Sequence, residues 1–308
     1  MVLEHLINPV KAEKTPWNMF LVGFVYSTMA ILLSIWVFEA YASLVMVFLT
    51  VMACTYLVHS VLKLEEKKDT EIKGEKNLLR EHSKAISVFV FLFLGFTASF
   101  AVWYVALPSD KLHTVFASQI GTISEVNKAT SGFFFASDDE SILALADGTV
   151  AGEQLSGAAI SNGAAFTKIF FNNLKVLFFC ILFAFFYGAG VVFILVWNAS
   201  VIGVAIGNFV RSSIASITSS IGFTNMSHYF TSFSLGIATY MTHGIFEIIA
   251  YFTAALAAGI ISIAVINHEY KSEKFVAILT DALDLFVISV VILLFAAAVE
   301  VYVTPALF

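Results

Sequence analysis

The sequence predicts an all-α protein: a polytopic transmembrane helical bundle of about seven spans, one of them short or broken, with the N-terminus inside. Three observations predict it. Of the 308 residues, 59% are hydrophobic and only 12% are charged, whereas a soluble domain carries about a quarter charged residues. The mean hydropathy is +0.91. Apolar runs of about 20 residues, long enough for a helix to cross a bilayer, recur along the chain between charged or Gly/Ser-rich segments.

The elements follow in order. Residues 1–14 are polar, and the apolar run after them is too long for a cleavable signal, so Trp17–Phe38 is expected as a retained first span. Glu39 and Tyr41 mark a tight turn, and Ala42–Leu62 returns as the second span; residues 1–62 thus read as an N-terminal transmembrane hairpin. Residues 63–84 hold Lys63, Lys67, Lys68, Lys73, Lys76, Arg80 and Lys84 and read as a charged cytoplasmic linker. Residues 85–308 form the larger membrane domain. Its first span is Ala85–Ala106, stopped by Leu107-Pro108.

An outer segment, residues 109–172, follows. Leu112, Val115, Phe116, Ile120 and Ile123 recur at helical spacing after Ser109-Asp110, which predicts a short amphipathic helix. Phe133-Phe134-Phe135 is a second apolar patch. Leu174–Trp197 is the fourth span, interrupted at Asn198. Ala199–Val210 is too short to cross alone, ends at Arg211 and runs into Ser-rich Ser212–Ser234, so a short or broken span is expected here. Tyr240–Ile266 and Leu283–Val303 complete the set, with Thr304-Pro305 as the stop.

Lys and Arg set the orientation. With the N-terminus inside, Lys11, Lys14, the seven basic residues of 63–84, Lys271 and Lys274 all fall inside, while the long outer segment holds only Lys111, Lys128 and Lys168. This predicts a multi-pass protein of the cell membrane with the lipid bilayer as its first partner. No basic face is large enough for nucleic acid. Cys54 and Cys180 both fall inside apolar spans and read as small buried hydrophobes.

Few residues could carry chemistry. His243 and Glu247 lie one helical turn apart in an apolar run, so both face one side of a helix. Ionisable groups in a span are costly and mark functional or helix-joining positions. They could share a proton, pair with a cation or fix helix packing, with Gly244 between them admitting a neighbouring backbone. Arg211 is a candidate counter-ion for Glu247; the alternative is an arginine reaching to an interface. Gly188, Gly190, Gly203, Gly207 and Gly259 form a small-residue seam, and Gly203-xxx-Gly207 permits a homodimer. Asn172, Asn173 and Asn198 flank or interrupt the fourth span, where an amide can satisfy a freed backbone group. Glu39 and Glu300 are placed at the outer boundary. No zincin motif, phosphate loop, serine elbow or metal-ligand spacing is visible, so no enzyme activity, metal or cofactor is expected.

These residues carry a resemblance. Asn172-Asn173-Leu174-Lys175-Val176, Gly188-Ala189-Gly190, Asn198, the run His243-Gly244-Ile245-Phe246-Glu247-Ile248-Ile249-Ala250-Tyr251 and the run Ala257-Ala258-Gly259-Ile260-Ile261-Ser262 are similar to the stage II sporulation protein M family in its archaeal-type branch, over roughly residues 85–266. Ala199 stands where the family usually has Gly, and Phe246 where it often has Pro. The resemblance implies a non-enzymatic scaffold, because the bacterial namesake anchors cell-wall-degrading partners at a membrane. Other envelope or membrane proteins, met through the outer segment, are the expected partners. A transporter or channel with a His243/Glu247 proton or ion site is the alternative.

Overall fold

The computed structural model describes residues 8–72, 75–130, 162–187, 191–267 and 273–307, and among these no strand occurs. The elements are α1 (Pro9–Lys14), α2 (Asn18–Val37), α3 (Ala42–Glu71), α4 (Glu75–Ala106), α5 (Ser109–Val115), α6 (Ala117–Thr130), α7 (Asn162–Tyr187), α8 (Val191–Ile221), α9 (Met226–Ile266), α10 (Glu273–Ala298), a π turn (Val299–Val303) and α11 (Thr304–Leu307). Seven of them, α2, α3, α4, α7, α8, α9 and α10, are long and apolar enough to cross a membrane. The expected all-α bundle is the observed one.

Three boundaries differ from expectation. The fourth span is Asn162–Tyr187 rather than Leu174–Trp197, and residues 191–197 open the next helix. The charged residues 63–84 are largely helical: α3 runs on to Glu71 and α4 opens at Glu75. The segment is rich in Glu, Lys and Leu, all good helix formers, and pairs such as Lys67–Glu71 at 3.5 Å and Lys84–Glu81 at 2.5 Å support the helical turns.

The broken span is also absent. α8 passes through Asn198 and Arg211 without interruption. Asn198 does not free the backbone; its Nδ2 donates to Ile194 O at 2.9 Å, inside its own helix. The polar stretch after Arg211 stays helical because its hydroxyls bond carbonyls three or four residues back, as Thr218 does to Ile214 O at 2.8 Å and Ser220 to Ser216 O at 2.9 Å. The turn is confined to residues 222–225. Gly222 takes φ +83, which favours glycine, and Asn225 caps α9 in a box with His228.

α9 is the central helix: every residue from Ala250 to Ala264 is buried. Around it pack α7, α10 and α8, with α3 and α4 behind. The α2–α3 hairpin is part of the same bundle, because α2 lies against α4 at very short range. A Cβ on Gly23 would meet Leu92 O at 2.5 Å, and one on Gly95 would meet the Phe24 N at 2.9 Å. Thr28 Oγ1 and Ser99 Oγ, 3.0 Å apart, lock the same interface. Gly203 and Gly207 are likewise used inside the chain, against Phe100 and Tyr104 of α4, and Gly259 sits on Leu62 of α3. The Gly203-xxx-Gly207 pattern is therefore taken up by an internal contact and supplies no free dimer face. Gly188 and Gly190 lie outside the described residues, as does Phe133-Phe134-Phe135.

The start of the outer segment forms two helices rather than one. Leu112, Val115 and Phe116 are buried, as their spacing predicted. Cys54 and Cys180 are free and buried.

Candidate functional site

α9 presents His243, Glu247 and Tyr251 on one face, at successive turns. α7 meets that face with its buried stripe Asn173, Leu177, Cys180 and Ala184. Asn173 is the polar position of the stripe, and its Nδ2 donates to Glu247 Oε1. Its neighbour Asn172 is exposed and takes no part.

The third wall comes from the end of α10. Pro305 has no N–H and its ring crowds the preceding turn, so the helix widens there. The Thr304 N–H bonds Val299 O, five residues back, and Thr304 Oγ1 reaches the same carbonyl at 3.2 Å. Within the widened turn lies Glu300. Its carboxyl is within hydrogen-bonding reach of Glu247. One turn further, His243 Nδ1 lies 3.3 Å from Thr304 Oγ1. Glu247 and Glu300 are both half-buried.

The chemistry of this arrangement is simple. A hydrogen bond between two carboxyls requires one of them to carry the proton, since a carboxylate can only accept. Like charges at this range repel strongly in a medium of low dielectric. The Asn173 amide supplies a donor to the Glu247 carboxyl. The set Asn173, Glu247 and Glu300 can hold a proton, or exchange it for a cation.

Several sequence expectations are corrected here. Arg211 is not the partner of Glu247. It lies at another place, with Nη2 donating to Leu107 O at 2.5 Å, Nη1 3.5 Å from Ser109 Oγ, and the guanidinium 5.9 Å from the Tyr104 ring centre. His243 bonds Thr304 rather than Glu247. Gly244 admits no backbone: a Cβ there would meet only the Met241 methyl at 3.9 Å. Glu300 is not a solitary boundary residue but half of a carboxyl pair. The signal for it was the Pro305 five residues on, which distorts the turn that carries it.

A second polar cluster lies where α1, α3 and α4 meet. Lys68 Nζ is 2.5 Å from Glu13, 2.6 Å from Glu65 and 3.4 Å from Glu81. Glu65 also meets His82 Nδ1 at 2.8 Å, and Glu66 accepts from Asn267 at 3.3 Å. Glu13, Glu65 and His82 are buried. Burial, then the Glu65 carboxyl beside it, push Glu13 up to about 7 against the pull of Lys68. Its residues were hidden in the segments that looked like tail and linker.

The family model for stage II sporulation protein M matches residues 87–305. The chain belongs to the stage II sporulation protein M family. The match runs beyond residue 266 and so includes α10 and the turn that holds Glu300. An uncharacterized protein of Methanocaldococcus jannaschii is 33% identical over 143 residues, which is 46% of this chain and 71% of that relative. No solved structure matches the chain. The protein is a membrane protein of this family.

Proposed function

We propose that the protein is a non-enzymatic scaffold of an envelope complex in the cell membrane. In this reading it crosses the bilayer several times with its N-terminus inside, and presents residues 109–172 to another envelope or membrane protein outside. The observation that carries the reading is how the base of that segment is fastened. α6 packs on α3 and α8. Phe116, at the α5–α6 junction, is fully buried. Ser118 Oγ lies 2.7 Å from Ser43 Oγ, and the buried Gln119 amide donates to Ser43 O at 3.3 Å. Pinned in this way, α5 and α6 keep a fixed place on the bundle, which a membrane anchor needs in order to position a partner.

The test is deletion of residues 131–161 with a short replacement loop. The scaffold reading expects loss of a crosslinked envelope partner in cells while the purified protein keeps its melting temperature. Retention of every crosslinked partner would overturn it.

The Glu247–Glu300 pair favours a second reading, a transporter or channel with an intramembrane proton or ion site. The continuity of α8 removes the broken helix that usually accompanies such sites. Proton flux into liposomes that is abolished by Glu247→Gln in a protein of unchanged fold would make the scaffold reading incomplete.

A further inference from the structure

At the bundle end opposite the Lys68 cluster, a cavity of about 420 Å³ opens between the end of α4, α5, α8 and the start of α9. Such a volume lies in the roughly 300–1,000 Å³ range of small-molecule sites. Its polar lining includes Arg211, Asn208, Ser109, Ser212, His113 and Tyr229, and among the described residues no Asp or Glu lines it. Among these residues the single permanent charge is therefore positive, and the neutral polar groups around it can all donate hydrogen bonds.

Arg211 is set in advance for such a role. Leu107 O and Ser109 Oγ take one N–H each, and the Tyr104 ring flanks the guanidinium at 5.9 Å. A guanidinium has five N–H groups, so three remain beyond those two bonds. Its planar fork matches the oxygens of a phosphate, and a side chain already held by a backbone carbonyl loses little freedom on binding. Asn208, one turn before Arg211 on α8, accepts from the Tyr104 hydroxyl at 3.5 Å, which leaves its amide nitrogen to the cavity.

We propose that this cavity binds a phosphate-bearing anion, with Arg211 as the charge that holds it and Asn208 and the hydroxyls as the donors that orient it. The cavity lies where α8 leaves its apolar run, so the phosphate comes either from a lipid headgroup or from free solution. The cavity shares Ser109, Leu112 and His113 with the base of the outer segment, but its test reads anion binding and not partner capture, so the two readings fail separately.

The experiment uses the full chain. Delipidated protein in detergent is titrated calorimetrically with inorganic phosphate. In parallel, protein is taken from vesicles of equal phosphatidylglycerol and phosphatidylcholine, and the lipid it retains is weighed by native mass spectrometry. Heat with inorganic phosphate identifies a free oxyanion; phosphatidylglycerol enrichment without that heat identifies a headgroup. In either case Asn208→Asp, a same-size change at an exposed position, weakens binding by about tenfold or more, because it sets a carboxylate beside the site. Arg211→Lys weakens it by keeping the charge and losing the fork. Absence of both signals in the unaltered protein overturns the proposal. So does binding that Asn208→Asp leaves unchanged, with the melting temperature of each variant as the control for folding.

Discussion

Asn173 donates its side-chain amide to Glu247, and so ties α7 to the central helix inside the apolar core. Removing the donor leaves the half-buried Glu247 short of a partner. Hydrogen bonds to charged groups contribute about 1.5–3 kcal/mol. Asn173→Ala should lower stability by that order, whereas Asn172→Ala, at an exposed position, should change it by less than about 0.5 kcal/mol. Thermal unfolding of the two variants in the same detergent checks this; equal effects would remove the special place given to Asn173.

The carboxyl pair predicts a pattern of coupling. Glu247→Gln and Glu300→Gln should be non-additive by about 0.5 kcal/mol or more, because the two groups share one contact. Glu247→Gln and Arg211→Gln should add, since Arg211 is bound to Leu107 O elsewhere. Double-mutant cycles on both pairs decide it. A coupled second cycle would mean that Arg211 does reach the site.

The α2–α4 crossing depends on having no side chain at two points. Gly95→Leu should destabilise by about 1–3 kcal/mol or misassemble the hairpin, because the space is already filled by α2 backbone. Gly121→Ala in α6 is the contrast: nothing lies within 4 Å of its added Cβ. Alanine there should be neutral or stabilising by roughly 0.5–1 kcal/mol. Expression and melting temperature of the two variants separate these outcomes.

Docking of α1 should depend on pH. The Glu13 carboxyl is raised from 4.5 to about 7 when docked. Below 4.5 both docked and free forms hold the proton. As pH rises past that value the free form ionises first, so docking weakens progressively and is weakest above about 7. Hydrogen exchange of residues 10–14, corrected for intrinsic rate, should therefore quicken between about pH 4.5 and pH 7 and level off above that. Glu13→Gln should flatten the change; an unchanged pH dependence in that variant would rule Glu13 out as its source.

The apolar runs made the seven helices legible, because length and hydropathy alone decide whether a segment can span. Helix ends were less legible. Asn198 and the serines after Arg211 looked like breakers, yet each satisfies its hydrogen bonds within its own helix, and composition does not reveal that. Glu247 was visible because it stands alone in hydrocarbon. Its partners were not, since Asn173 and Glu300 are 74 and 53 residues away in the chain and only the packing of α7 and α10 on α9 brings them together. The Lys68 cluster was lost for the opposite reason: a run of charges resembles a solvated surface, and burial by α1 cannot be read from it.

α9 runs from Met226 to Ile266. Its 41 residues make a rod of roughly 61 Å, about twice the hydrocarbon thickness of roughly 30 Å. α8 likewise continues ten residues, roughly 15 Å, past Arg211 to Ile221. The turn at 222–225 is thus a tip raised on two joined rods, with Phe223, Met226 and Phe230 exposed around it. Its height is counted in residues and does not depend on a floppy tether. Whatever meets that tip is kept at a standoff, as by a gauge block, and adding seven residues to each rod would raise it by about 10 Å without touching its chemistry.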